Sequence, residues 1–131
     1  MTPIFAKANG VLQAAALSAC LAVVFGAFGA HGLKPHLDVQ MMQTYHTAVQ
    51  YHFYHSLALL ANAILLKLYV DSTLLLKSAF LFVIGIVLFS GSLYLMALSG
   101  IRWLGIITPL GGLSFIMAWL CLWFAAVKEF R

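Results

Sequence analysis

The stretch Ser78–Ile101 reads SAFLFVIGIVLFSGSLYLMALSGI, 24 residues between Lys77 and Arg102 without one charged side chain. A helix rises about 1.5 Å per residue, so about 20 mostly apolar residues cross the hydrocarbon core of a bilayer. The rest of the chain repeats this pattern. Uncharged runs of 26, 28 and 25 residues separate Lys7 from Lys34, Asp38 from Lys67, and Arg102 from Lys128. Backbone polar groups in lipid must be paired within their own segment, which makes each run a helix. The expected fold is an all-α membrane protein, a single domain over residues 1–131. It is a four-transmembrane-helix bundle with short loops and spans at about 8–30, 44–66, 74–98 and 104–127.

Composition agrees. Charged residues make up 8% and hydrophobic residues 64% of the chain, against about 25% and about 45–50% in soluble domains. That excludes a soluble enzyme, a nucleic-acid-binding domain and a disordered tail. The net charge of +4 then reports topology rather than a nucleic-acid partner. The side holding both termini and the second connection carries Lys7, Lys67, Lys77, Lys128 and Arg131; the other carries Lys34 and Arg102. The excess places both termini in the cytoplasm.

The first connection, Gly32–Gln43, is the only one with room for a feature of its own. Leu37, Met41 and Tyr45 recur there every four residues, which suggests a short interfacial helix or an ordinary polar loop. Leu17-Ser18-Ala19-Cys20 has the form of a lipoprotein box. The apolar run continues ten residues past Cys20, which favours an uncleaved span. Cys20 and Cys121 fall at depths about 10 Å apart, beyond the reach of a disulfide. Trp103, Trp119, Trp123 and Tyr69 fit interfacial aromatic belts.

Inside the spans the polar residues are few and patterned. Gly10, Ala14, Ser18, Ala22, Gly26 and Ala30 place a small residue at every fourth position of the first span. Helices in lipid associate through close packing at such residues. This stripe is expected to meet another helix, a second copy or a larger membrane complex. Ala48, His52, His55, Leu59 and Asn62 share a face of the second span. Ionisable groups inside a bilayer face the bundle interior or a wet cavity. Ser90, Ser92 and Tyr94 stand in the third span, and Thr108, Pro109, Gly111 and Gly112 early in the fourth. His31, His52, His55 and these two clusters all fall in the outer half of the membrane. They define the expected pocket.

These clusters carry a resemblance. The motifs GAFGAHG (26–32), AVQYHFYHSLALL (48–60), FSGSLY (89–94) and TPLGG (108–112) occur in order. In them the chain resembles the domain-of-unknown-function 423 family, the bacterial relatives of human transmembrane protein 256. The resemblance covers nearly the whole length and implies a small four-span inner-membrane protein. It implies no reaction. The family's motif residues fall on His31, His55, Ser90, Ser92, Tyr94, Thr108, Pro109, Gly111 and Gly112. His52 matches less closely, since relatives can carry another polar residue there.

Four functions compete. The leading one is an accessory or scaffold protein that binds a lipid or quinone-like ligand in a His/Ser/Thr-lined pocket. A transporter, channel or proton relay would need an oligomer, because the polar groups occupy one half of the membrane only. A metal or haem site would draw on His31, His52 and His55, without thiolate or carboxylate help at that depth. A hydrolase would pair Ser90 or Ser92 with His55, but no carboxylate stands ready to orient the imidazole. No catalytic residue and no cofactor is assigned, and the lipid bilayer is the one sure partner.

Overall fold

The computed structural model describes residues 3–130, and within them it is helical with no strand. Arg131, counted above for topology, lies outside the described residues. Helix α1 runs Pro3–Phe28 and continues through a π-helical turn, Gly29–Leu33. Helix α2 spans Val39–Leu68. Helix α3, Thr73–Gly85, passes through a second π turn, Ile86–Ser90, into α4, Gly91–Ser99. A 3₁₀ segment, Arg102–Ile106, leads into α5, Thr108–Lys128. Among the described residues three stretches are long and apolar enough to cross a membrane: Lys7–Leu33, Thr73–Ser99 and Arg102–Lys128. Helix α2 is longer still, at 30 residues, but its glutamines, histidines and Asn62 dilute its apolar character.

Local chemistry sets the boundaries. Asp38 caps α2 by accepting from the Met41 amide at 2.7 Å, and Ser72 caps α3 by accepting from Leu75 at 3.1 Å. The Asp38 cap starts α2 early enough to absorb Met41 and Tyr45. The interfacial helix expected between the first two spans is therefore the first turns of α2 itself. Gly100 ends α4 with φ 74°, its N–H on the Met96 carbonyl, the left-handed cap that glycine adopts without strain. Pro109 lies in the first turn of α5, where its missing N–H has no partner to lose.

Helix α1 packs along α2, and α5 packs along α3 and its π turn; α2 meets α3 and α4 and joins the two pairs. The seam of α1 follows a seven-residue repeat. Ala8, Ala15 and Ala22 are each 1% exposed, and Gly29 is buried one repeat further on. The four-residue stripe named from the sequence is not one face. Each step of four drifts about 40° around a helix, so Ala22 is buried while Gly10, Ala14 and Ala30 are exposed. Outside the seams the surface is apolar: Leu17, Val23, Phe80, Val87 and Ile116 are exposed, as side chains facing lipid are.

Candidate functional site

The two buried histidines of α2, His52 and His55, differ by three positions, about 60° around the helix. That is enough to send them into different clefts. His52 lies at the floor of a cleft between α1 and the α3–α4 rod, beside Ser18 and Tyr94. His55 faces a cleft between α2 and α5, with Tyr51, Pro109, Gly112 and Trp119. Both rings are buried.

Each ring has both nitrogens engaged, and the partners fix the proton positions. His55 Nδ1 is 2.8 Å from the Tyr51 carbonyl, which can only accept, so Nδ1 carries the proton. The Trp119 indole N–H then donates to Nε2 at 3.3 Å. The His55 ring stacks on Phe115, centroids 3.5 Å apart.

Around His52 the direction is set from the far end. Ser56 donates to the His52 carbonyl at 2.7 Å. Its only proton is used, so across the 2.6 Å contact it must accept from Ser18. The Ser18 proton is then used as well, and His52 Nε2, 3.1 Å away, donates to it. The neutral ring's Nδ1 is left bare and accepts from Tyr94 O–H at 2.9 Å. Protons thus point from Tyr94 through His52 and Ser18 to Ser56, and the chain stops on a backbone carbonyl.

The other residues singled out by sequence have separate jobs. Ser90 is fully buried and donates to the Ala48 carbonyl of α2 at 2.8 Å. Two positions on, about 200° around the rod, Ser92 faces α5. It donates to the Phe89 carbonyl at 2.9 Å, so Thr108 donates to it across 2.7 Å. Gly111 sits against the Phe89 backbone of the π turn: a Cβ there would lie 2.7 Å from Phe89 Cα. Gly85 does the same for the Phe115 ring, which a Cβ would approach to 2.5 Å at Cε1. His31 is exposed on the π turn that ends the first rod and joins neither histidine cluster. Among the described residues no three His, Cys, Asp or Glu side chains gather closely enough to hold a metal ion.

Sequence reading missed four partners. Ser18 was assigned to packing and Trp119 to the aromatic belt; Ser56 and Phe115 were not singled out. A helical register would have found three of them: Ser56 is one turn after His52, and Phe115 and Trp119 share a face of α5 with Gly111 and Gly112. Asn62 is fully buried, yet neither its oxygen nor its nitrogen has a hydrogen-bond partner among the described residues.

The cleft floored by His52 is one of three that adjoin along the α1/α3–α4 side. The central one encloses about 480 Å³. It shares Ala14, Leu59 and Val83 with a cleft of about 850 Å³ toward the chain's N-terminal end, which Lys7 and Lys77 also line. It shares Phe25, Val87, Gly91 and Tyr94 with one of about 510 Å³ on the other side. From Gly10 to Phe28 along α1 this groove is roughly 27 Å long at 1.5 Å per residue.

An apolar exterior, three membrane-length helices and polar side chains turned inward define a small all-helical membrane protein. The chain belongs to the family described as "Protein of unknown function (DUF423)", whose model matches residues 25–112. It is similar to the UPF0382 membrane protein YwdK of Bacillus subtilis, 47% identical over 86% of this chain and 92% of that one. It is similar also to a UPF0382 membrane protein of Staphylococcus epidermidis, 44% identical over 86% of this chain and 91% of that one. The UPF0382 inner membrane protein YgdD of Escherichia coli is 38% identical over 87% of this chain and 86% of that one. No solved structure matches the chain.

Proposed function

We propose that this protein is a four-span accessory protein of a bacterial inner membrane that holds a chain-like lipid in the groove between α1 and the α3–α4 rod. Helix α2 is the fourth span in this reading. Its polar side chains are no obstacle, because His52, His55, Ser56 and Asn62 are all buried against other helices, and polar groups in a membrane lie where protein rather than lipid surrounds them. Both termini are cytoplasmic, on the side richer in lysine. YgdD is named an inner membrane protein, which supports the choice of membrane.

The observation that carries the reading is the groove itself. Its three clefts enclose about 480, 510 and 850 Å³, in the size range of small-molecule sites. Together they run nearly the thickness of a bilayer's hydrocarbon core. They lie between helices and are largely apolar, with Lys7 and Lys77 at one end, Tyr45 and Ser92 at the other, and a polar patch at Ser18, His52 and Tyr94 between them. A hydrocarbon chain fits such a slot, and the patch supplies one place to anchor a polar atom.

Native mass spectrometry of the protein released from nanodiscs of E. coli lipid tests this. Gly91 lines two of the clefts and a Cβ there meets nothing within 4 Å, so Gly91→Trp fills the groove without a backbone clash. The wild type and Leu120→Trp, on the exposed side of α5, should retain a lipid adduct that Gly91→Trp loses. Equal retention by all three would refute the groove reading. Topology is checked separately in a cysteine-free background. A membrane-impermeant thiol reagent applied to whole cells should label a cysteine placed at His36 and leave one at Glu129 untouched.

A further inference from the structure

The groove's upper two clefts have an unusual hydrogen-bonding character. Five polar side chains line them: Ser18, Tyr45, His52, Ser92 and Tyr94. Every proton these side chains carry is committed inside the protein. Tyr45 donates to the Phe25 carbonyl at 2.6 Å, and Ser92 to the Phe89 carbonyl at 2.9 Å. Tyr94 donates to His52 Nδ1, His52 Nε2 to Ser18, and Ser18 to Ser56, in the direction forced by the Ser56 bond to the His52 carbonyl. What remains toward the groove is lone pairs only.

We infer that the groove selects a neutral lipid bearing a hydroxyl group, an isoprenoid or long-chain alcohol or a phenol, which donates its proton to the Tyr94 oxygen. This inference rests on the groove reading above and adds the head-group chemistry. A ketone, quinone, ester or ether brings only acceptors to side chains that have no proton left to give, and its buried oxygen goes unpaired. A cationic head would find acceptors but no counter-charge, since the chain's only carboxylates are Asp38, Asp71 and Glu129, none of which lines these clefts. The neutral hydroxyl is the group left.

Tyr94 is the natural acceptor because it lines both clefts and already gives its own proton away. That donation leaves its oxygen more electron-rich, as in any hydrogen-bonded chain. The selectivity is thus set by Ser56, which is fully buried and touches no ligand. Without the Ser56 hydroxyl, Ser18 has no side-chain acceptor except His52 Nε2. The chain can then run backwards, with His52 Nδ1–H donating to Tyr94 and the Tyr94 proton freed for the groove.

The test compares farnesol with farnesyl methyl ether, which has the same chain but no donor proton. Binding to the full-length protein in phosphatidylcholine nanodiscs is read by native mass spectrometry titration. The wild type should bind the alcohol about tenfold more tightly, the worth of one desolvated hydrogen bond. Ser56→Ala should bring the ratio close to one by raising ether affinity. Failure of both probes to bind would overturn the groove reading and this inference with it. Equal binding of both to the wild type would leave the groove standing and overturn the inference, placing the head group away from Tyr94, toward Lys7 and Lys77. A tenfold preference that persists in Ser56→Ala would overturn the assignment of its cause to the direction of the chain.

Discussion

Replacing Gly111 by alanine should cost about 2 kcal/mol of stability or more, and the structure shows why. The added Cβ would stand 2.7 Å from both Cα and Cβ of Phe89 and close to its amide nitrogen. Carbon atoms in good contact lie about 3.5–4.0 Å apart, so α5 must retreat from the π turn by about 1 Å. No side chain can swing aside, because the obstacle is backbone. Retreat stretches the bonds that tie α5 to the α3–α4 rod: Ser92 to Thr108 at 2.7 Å, Ser114 to the Leu81 carbonyl at 2.7 Å, and Ser78 to the Ala118 carbonyl at 2.8 Å. Lengthened by about 1 Å, all three leave hydrogen-bonding range. At roughly 0.6 kcal/mol per interhelical bond in a membrane, that is about 2 kcal/mol. If α5 stays in place instead, overpacking costs about 1–3 kcal/mol. Gly91→Ala is the control, since its Cβ meets nothing within 4 Å. Unfolding by SDS titration from mixed micelles measures both. A Gly111→Ala protein as stable as the wild type, or Gly91→Ala as unstable as Gly111→Ala, would rule out a backbone clash at Gly111 as the cause.

Neighbouring positions on α1 test its seam: Ala15→Leu, at a residue 1% exposed, should lose about 1–3 kcal/mol, while Ala14→Leu on the open face should lose almost nothing in the same titration. Asn62→Leu should raise the unfolding midpoint, because it replaces two unpartnered buried amide atoms with apolar ones of similar size; a lower midpoint would mean the amide is paired. A double-mutant cycle with His55→Phe and Trp119→Phe should give a coupling energy of about 0.6 kcal/mol, and zero coupling would show that their 3.3 Å hydrogen bond contributes nothing.

Runs such as Ser78–Ile101 located the apolar helical stretches to within a few residues, because in lipid a backbone has no other way to pair its polar groups. The caps at Asp38 and Ser72 could have sharpened the edges. The grouping of His52, His55, Ser90, Ser92 and Thr108 inside the protein was also readable, because a polar side chain on a lipid-facing surface is costly. The opening of His52 and His55 into different clefts was not. It depends on which helix stands beside each flank of α2, and chain order says nothing of that.

Charge spacing and the solvation of the backbone act through local composition, so the order of amino acids alone specifies a helical membrane protein whose few polar side chains turn inward. The direction in which the hydrogen bonds run is settled by packing between helices. Whether Tyr94 offers a proton or a lone pair to the groove depends on Ser56, on another helix and at the far end of the chain of bonds. A hydroxyl has a single proton to give, so its use at one end of that chain constrains every partner to the other. Such a constraint passes through space between helices, and no reading along the chain contains it.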